Sequence, residues 1–235
     1  MCRKKVAILQ SNYIPWRGYF DIINMVDEFV FYDDLQYTSR NWRNRNSIKT
    51  SHGLKWLTIP CGVSRSRLIC EVELKDEHWQ YKHWQSIFLN YKKATYFNIY
   101  SSFFEDFYLN NTWTNLTELN HYLIKAIAKD ILGIQTKFID SRQFDCKFRK
   151  EERVFEILDK TKATHYLSGP AAKEYLHEEK FRNRGIELEW MDYSNYPEYS
   201  QLYPPFEHRV SIIDLIFNEG PNAKRFMKSF GYEDE

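Results

Sequence analysis

The chain has no excess of charge of either sign: Lys plus Arg number 33 and Asp plus Glu 32 among 235 residues. No global field therefore argues for a nucleic acid or an anionic membrane as partner. No apolar run approaches the length that spans a bilayer. Met1-Cys2-Arg3-Lys4-Lys5 leads directly into a strand pattern, not into the apolar region of a signal peptide. No DNA and no membrane are expected as partners, and the expected location is cytoplasmic. The four cysteines (Cys2, Cys61, Cys70 and Cys146) contain no CxxC pair, which reads as reduced thiols in a cytoplasm. A Cys61–Cys70 bridge would need an oxidising compartment. There is no spaced metal-ligand set, no internal repeat, no low-complexity linker, no GxSxG elbow and no Walker loop.

What is present begins with aromatics, 17% of the chain, about twice an average globular share. Spread along the sequence, they suit a core with some rings left to line a pocket. The organising stretch is Val6 to Lys49. Val6 to Leu9 is a short run apolar on both faces, the pattern of a buried strand. Polar Gln10-Ser11-Asn12 and a turn with Pro15 and Gly18 follow. Tyr19 to Val26 has helical periodicity, and Phe29 to Tyr32 reads as a second strand ending in Asp33-Asp34. Strand, loop, helix and strand make a βαβ unit, which places ligands where loops leave the carboxyl ends of parallel strands. Gln10, Ser11, Asn12, Asp33, Asp34 and Gln36 all fall on that edge.

Arg40, Arg43, Arg45 and Lys49 alternate with Asn41, Trp42, Asn44 and Asn46. Guanidinium forks and amides at this density suit a phosphate or a carboxylate, and Trp42 could stack on a base or sugar face. A solvated surface loop is the alternative. Leu54 to Ile59 reads as a strand whose hairpin partner is Leu68 to Leu74, with Ser64-Arg65-Ser66-Arg67 at the tip. From Trp79 the period becomes helical. His78 and His83 are five apart, about 140° around a helix, so they do not ligate a metal from one face. Asn115 or Thr117 caps a helix running to about Leu132 and stopped at Gly133; its face of Leu119, Leu123, Ala126, Ile127 and Ile131 reads as core. Gln135 to Asp140 reads as a strand and Glu151 to Lys160 as a helix. Thr164 to Pro170 reads as a short strand, a Ser168-Gly169 turn and a Pro-started helix (Ala171 to Glu178), a junction able to offer N–H groups to an anion or to be purely structural. Ile186 to Trp190 continues the alternation. Ser211 with Asp214 forms a candidate capping box opening the next helix, and Asn222 to Ser229 reads as a final short one.

The expected architecture is a single α/β domain over 1–235. It divides into a βαβ core (about 5–60), a helical middle (about 78–132) and a βα C-terminal part (about 134–235). This is a Rossmann-like or nucleotidylyltransferase-like parallel sheet with flanking helices and a small β-hairpin insertion.

The sequence resembles the WbqC-like protein family over nearly its whole length. The resemblance is carried by Gln10-Ser11-Asn12-Tyr13-Ile14-Pro15-Trp16 with Gly18-Tyr19-Phe20, by Asp33-Asp34-Leu35-Gln36-Tyr37 and by Arg43-Asn44-Arg45-Asn46. It extends to Tyr166-Leu167-Ser168-Gly169-Pro170 and to Ser211 through Asn218. It implies a role in bacterial surface-polysaccharide (O-antigen) clusters, where some members are labelled glycine transferases. The implied chemistry is an aminoacyl group forming an amide on the amine of a nucleotide-linked amino sugar. A fainter similarity to adenylate-forming nucleotidylyltransferases stops at the turn Ile14 to Tyr19, which lacks both histidines of their HxGH; Arg17 and the arginines of 40–45 are the candidate replacements.

Such a reaction needs a base, a phosphate clamp and oxyanion donors. Asp33 or Asp34 is the candidate base or amine anchor, with His165 a further acid/base candidate. Arg40, Arg43 and Arg45 would hold the pyrophosphate, Gln10 and Asn12 would orient the acceptor, and Ser168 with Gly169 would make a second anion contact. Ser11, Tyr13, Trp16, Arg17, Gln36, Trp42, Asn44 and Asn46 complete the candidate binding set. In a strand Asp33 and Asp34 point to opposite sides. The expected partners are the nucleotide-linked amino sugar and an amino acid or activated aminoacyl donor. The cofactor is left open, with ATP and Mg2+ as the candidate pair, and so is the oligomeric state. The second reading is a non-catalytic protein that binds a nucleotide or nucleotide-sugar and assists a biosynthetic cluster.

Overall fold

A computed structural model describes residues 3–62, 66–76 and 78–231. The N-terminal pattern folds as a βαβ unit: β1 (Lys5–Leu9), α1 (Arg17–Asn24) and β2 (Glu28–Phe31). The two strands are parallel, with Ala7 beside Phe29 and Leu9 beside Phe31. Next comes an antiparallel hairpin, β3 (Arg45–Thr50) with β4 (Gly53–Thr58). The helical middle is α2 (His78–Tyr91), α3 (Phe97–Glu105) and α4 (Leu116–Ala126); α3 and α4 each run on into a wide π-type turn. The C-terminal part supplies β5 (Lys137–Asp140), α5 (Lys150–Thr161), β6 (His165–Ser168), α6 (Glu178–Asn183), β7 (Glu187–Trp190) and α7 (Ile212–Glu219).

Five strands form one sheet in the order β5-β2-β1-β6-β7, and every neighbouring pair is parallel. The fold is therefore α/β, a parallel sheet flanked by helices with the small β3–β4 hairpin beside it. Side chains alternate across a strand, and the two faces divide the core accordingly. Ala7, Phe29, Phe31 and Leu167 point into one cluster with α1, α2, α4 and α7. Val6, Ile8, Val30, Tyr32 and Tyr166 point into the other, with Val154, Phe155, Ile157 and Leu158 of α5 and Phe181 of α6. Among the described residues no helix is long and apolar enough to cross a membrane.

Some elements differ from the sequence expectation. The partner of residues 54–58 is Arg45–Thr50, not Leu68 to Leu74. Asn46, Ser47 and Lys49 are buried polar residues, so this strand carries no apolar alternation to announce it. Ile69–Glu71 is instead a single 3-10 turn flanked by isolated bridges, Gln36 to Leu68 and Glu73 to Asn115. The basic tip at Ser64-Arg65 lies outside the described residues. Pro170–Glu174 forms a 3-10 turn before the separate α6, in place of one helix. The Ser211/Asp214 capping box does not form. Asp214 turns into the core and accepts from Tyr91 Oη (2.7 Å), Tyr199 Oη (2.6 Å) and Gln201 Nε2 (2.9 Å). Three fixed donors hold a buried carboxylate better than one frayed helix end. Cys61 and Cys70 are free thiols.

The turn between β1 and α1 is tied from outside. Ile14 has φ of +37°, a costly conformation for a β-branched residue. Asn46 Nδ2 donates to the carbonyls of Tyr13 (3.2 Å) and Ile14 (2.8 Å) and holds it there. Gly18 lets the Trp16 ring lie against the backbone, where a Cβ would stand 2.4 Å from Trp16 Cζ2. That ring is itself packed on Tyr193 and Tyr196, with centroids at 5.1 and 5.3 Å. Gly18→Ala is therefore expected to cost about 1–3 kcal/mol, read as a lowered denaturation midpoint in urea with an unchanged m value.

Candidate functional site

Counted in chain order, the parallel strands run 3-2-1-4-5, so the connections diverge between β1 and β6. In open α/β sheets the crevice beyond the carboxyl ends at such a switch point is where ligands bind. A cavity of about 360 Å³ lies there. Its floor is Ile8, Leu9, Gln10 and Asn12 from the end of β1 and Tyr166, Ser168 and Gly169 from the end of β6. Arg43, Lys150 and Tyr175 bring the charged and phenolic groups. None of the described lining residues is a carboxylate.

Arg43 gives the cavity its sign. Its guanidinium makes one hydrogen bond, to Asn41 Oδ1 at 3.2 Å, and among the described residues no carboxylate lies within ion-pair distance of it. Burial lowers its pKa, with Tyr19, Asp33 and Tyr175 working the other way; an arginine stays charged through such a shift. The loop carrying it is fixed at both sides. Asn120 Nδ2 donates to the Arg43 carbonyl (2.9 Å), and Tyr13 N donates to the Trp42 carbonyl (2.9 Å). A half-buried cation without an ionic partner, beside hydroxyl and amide groups, is the chemistry of an anion site.

Asp33 is fully buried outside this cavity. It accepts from Ser11 N (2.8 Å), Thr117 Oγ1 (3.2 Å) and His121 Nε2 (2.9 Å). His121 stacks on Phe31 at 3.8 Å and its Nδ1 lies 3.9 Å from Asp140. This carboxylate thus joins the end of β1, the end of β2 and α4. Asp34 faces away, accepting from Ser141 Oγ at 2.7 Å and pairing with Arg153.

The other sequence-predicted residues separate into distinct surroundings. Gln10, Asn12, Arg43, Ser168 and Gly169 converge on the cavity. Ser11 is buried and its hydroxyl accepts from Asn120 (3.2 Å). Tyr13 is in the core, its hydroxyl between His83 Nδ1 (2.8 Å) and Tyr108 Oη (2.5 Å). Arg17 is buried and donates to the carbonyls of Pro197 (2.8 Å) and Phe226 (3.0 Å). Gln36 is exposed and bridges to Leu68. Arg40 lies at a different depression with Tyr37 and Cys61, and Arg45 covers the Trp56 ring at 4.5 Å. The three arginines do not form one clamp. Asn44 holds the Ile59 carbonyl (2.9 Å). Trp16, Trp42 and Asn46 line a second cavity of about 280 Å³.

His165 opens β6 at the amino edge of the sheet, opposite the crevice, with Nδ1 on Thr164 Oγ1 (2.8 Å) and Nε2 3.1 Å from Glu187. His165, Glu187 and Glu189 bring donor atoms within 4.8 Å of one another. The charge of Glu189 is already met by Lys5 (2.6 Å) and Arg3 (3.3 Å).

Sequence reasoning passed over His121, Lys150 and Tyr175. The available signal was Thr117, Asn120 and His121, a polar stripe at helical spacing on a face otherwise apolar. Nothing local marks Lys150 or Tyr175, which the fold brings in from elements distant in the chain.

The order of strands, with a crevice at their switch point lined by Arg43 and Lys150, defines a Rossmann-like α/β protein. The chain belongs to the WbqC-like protein family, whose sequence profile matches residues 10–226. It is 44% identical over 227 residues, 96% of this chain and 98% of the relative, to a protein of Mycobacterium tuberculosis (strain ATCC 25618 / H37Rv) that bears the name Uncharacterized protein Rv1507c. No solved structure matches the chain.

Two outcomes follow from the buried groups. Asp33→Ala strands three donors, and is expected to cost about 3 kcal/mol or more, measured by equilibrium unfolding. His83 is buried, its ring bonded to Tyr13 and to the Thr58 backbone, and desolvation lowers its pKa from 6.5 to about 3. Unfolded chains bind a proton at this position below about pH 6.5 while the folded one does not until about 3. Stability is therefore complete above 6.5 and falls as pH drops through that window. His83→Gln should flatten this part of the stability–pH curve; an unchanged slope would place the titration elsewhere.

Proposed function

We propose that the protein binds a nucleotide-linked amino sugar by its phosphates in the crevice between β1 and β6. There it serves surface-polysaccharide synthesis by forming an amide between an aminoacyl group and the sugar amine. The observation that supports binding is Arg43, a half-buried guanidinium with no ionic partner among the described residues, aimed with Lys150, Ser168 and Asn12 at a switch-point cavity. The aminoacyl chemistry rests on the resemblance to the WbqC-like family. In the reaction the sugar nitrogen attacks the acyl carbon, the new C–N bond forms, the donor's leaving group departs and the amine proton passes to a base. Asp33, with its oxygens engaged by three donors, acts as a positioning residue. Asp34, held by Ser141 and Arg153 behind the crevice lining, is the candidate base once released from both.

Mg2+ bound with a nucleotide usually takes one or two protein carboxylates, and the described lining residues supply none. The crevice fits phosphates held directly by Arg43 and Lys150, so the metal carries no step here. The engagement of both Asp33 and Asp34 also favours a second reading, in which the protein binds the nucleotide-sugar and a partner performs the transfer.

Calorimetric titration with nucleoside-diphosphate amino sugars tests both. Binding should persist in EDTA, and Arg43→Ala should weaken it about 10- to 100-fold, the loss of a charge-assisted contact. No heat and no thermal shift across the panel would sink the proposal. Mass spectrometry for the amide, with free amino acid plus ATP or with a charged carrier, separates the readings. Product lost in Asp34→Asn with binding kept supports catalysis; binding without product from the wild type leaves the second reading.

A further inference from the structure

The second cavity, of about 280 Å³, meets the crevice at Asn12, whose side chain lines both. It is walled by Trp16, Trp42 and Pro15. Trp42 and Arg43 are consecutive, so one strapped dipeptide gives an indole to this chamber and a guanidinium to the other. The polar groups of the chamber are mostly committed. Asn46 uses its amide on Tyr13, Ile14 and Ser47, His208 Nδ1 meets Arg17 at 3.2 Å, and Arg209 is paired with Glu207 at 3.1 Å. Asn12 is the exception: its Oδ1 is buried with no hydrogen-bond partner. An unmet buried amide oxygen is costly unless a ligand supplies the donor. Trp16 is a fixed wall, locked on Tyr193 and Tyr196. Trp42 is 46% exposed and rests on Trp56, with ring centroids 5.6 Å apart.

We propose that this Trp-lined chamber is the nucleobase subsite of the ligand whose phosphates lie on Arg43, with Trp42 stacking on the base and Asn12 reading its edge. This deepens the proposed function and rests on it. A phosphate is a poor occupant of a chamber whose arginine is already neutralised. A planar heterocycle matches indole walls through its face and a free carboxamide through its N–H edge. The Trp-lined chamber alone, at about 280 Å³, falls below the usual size of a ligand site, about 300–1,000 Å³, and a nucleoside diphosphate has two unlike ends that would use both cavities.

The test compares inorganic pyrophosphate with UDP, dTDP, CDP, ADP and GDP by calorimetry and tryptophan fluorescence, on the wild type, Trp42→Ala, Trp42→Phe and Asn12→Ala. At least one nucleotide should bind about tenfold or more tighter than pyrophosphate, the gain of one stacked base, and quench the fluorescence. Trp42→Ala should remove that advantage and Trp42→Phe keep most of it. Asn12→Ala should narrow the preference among bases. Pyrophosphate affinity should stay unchanged in both Trp42 variants, which also reports that they fold. The inference is overturned if no nucleotide exceeds pyrophosphate, or if the advantage survives Trp42→Ala. Pyrophosphate binding with any of these results leaves the crevice reading standing; no binding of any probe removes both.

Discussion

A single buried carboxylate holds the ends of the first two strands in place. Asp33 receives the Ser11 amide from the strand beside it and the Thr117 and His121 side chains from α4. Without those donors its charge would be untenable at that depth. With them, the carboxyl edge of the sheet is joined rigidly to the helical layer. The polar loop after β1 is therefore not free to choose its path. Gln10 and Asn12 point where the crevice needs them because Ser11 between them is tied down. The same helix fixes the Arg43 carbonyl through Asn120, so one element positions both the floor and the cation of the site. That dependence gives a physical meaning to a pair of aspartates that look, in sequence, like a catalytic doublet.

The parts legible in the sequence were those governed by short-range periodicity and by the rule that ligands gather at strand carboxyl ends. The strand–helix–strand opening, the stop at Gly133 and the β6 turn at Ser168-Gly169 follow from it. Gln10, Asn12, Ser168 and Gly169 line the cavity because they stand at or just beyond the carboxyl ends of β1 and β6. The hairpin was misassigned because β3 buries Asn46, Ser47 and Lys49, whose hydrogen bonds replace apolar contact and leave no pattern. The arginine-rich segment reads as one recognition surface, but the fold sends its members to separate places. Arg45 goes to Trp56, Arg40 to a separate depression, and only Arg43 to the crevice. Only Arg45 lies in β3; Arg40 and Arg43 sit in the loop before it, whose path is set by contacts distant in sequence, such as Asn120 on the Arg43 carbonyl, and so leaves no local pattern.

Aromatic abundance has a similar explanation. Tyr13, Tyr91, Tyr108, Tyr196 and Tyr199 bring both ring area and a hydroxyl into the interior, where each hydroxyl meets a carboxylate, a histidine or another phenol. Their pKa values rise through burial, so they remain neutral donors across the physiological range. Core and polar network are thus built from the same side chains, while Trp16 and Trp42 line the chamber beside the crevice.

The end of the described chain returns to its beginning. Arg17 is held by carbonyls of Pro197 and Phe226, and Asp21 accepts from Tyr196 and from the amides of Lys228 and Ser229. The helix that follows the first strand is therefore clamped by residues synthesised about 180 to 210 positions later, and contacts of such separation form late. On the ribosome, β1 and its loop would emerge long before their clamps. The nascent N-terminal half would hold two strands with open edges and a binding loop without its support. For this protein, the support of the first loop waits for residues 196 to 229.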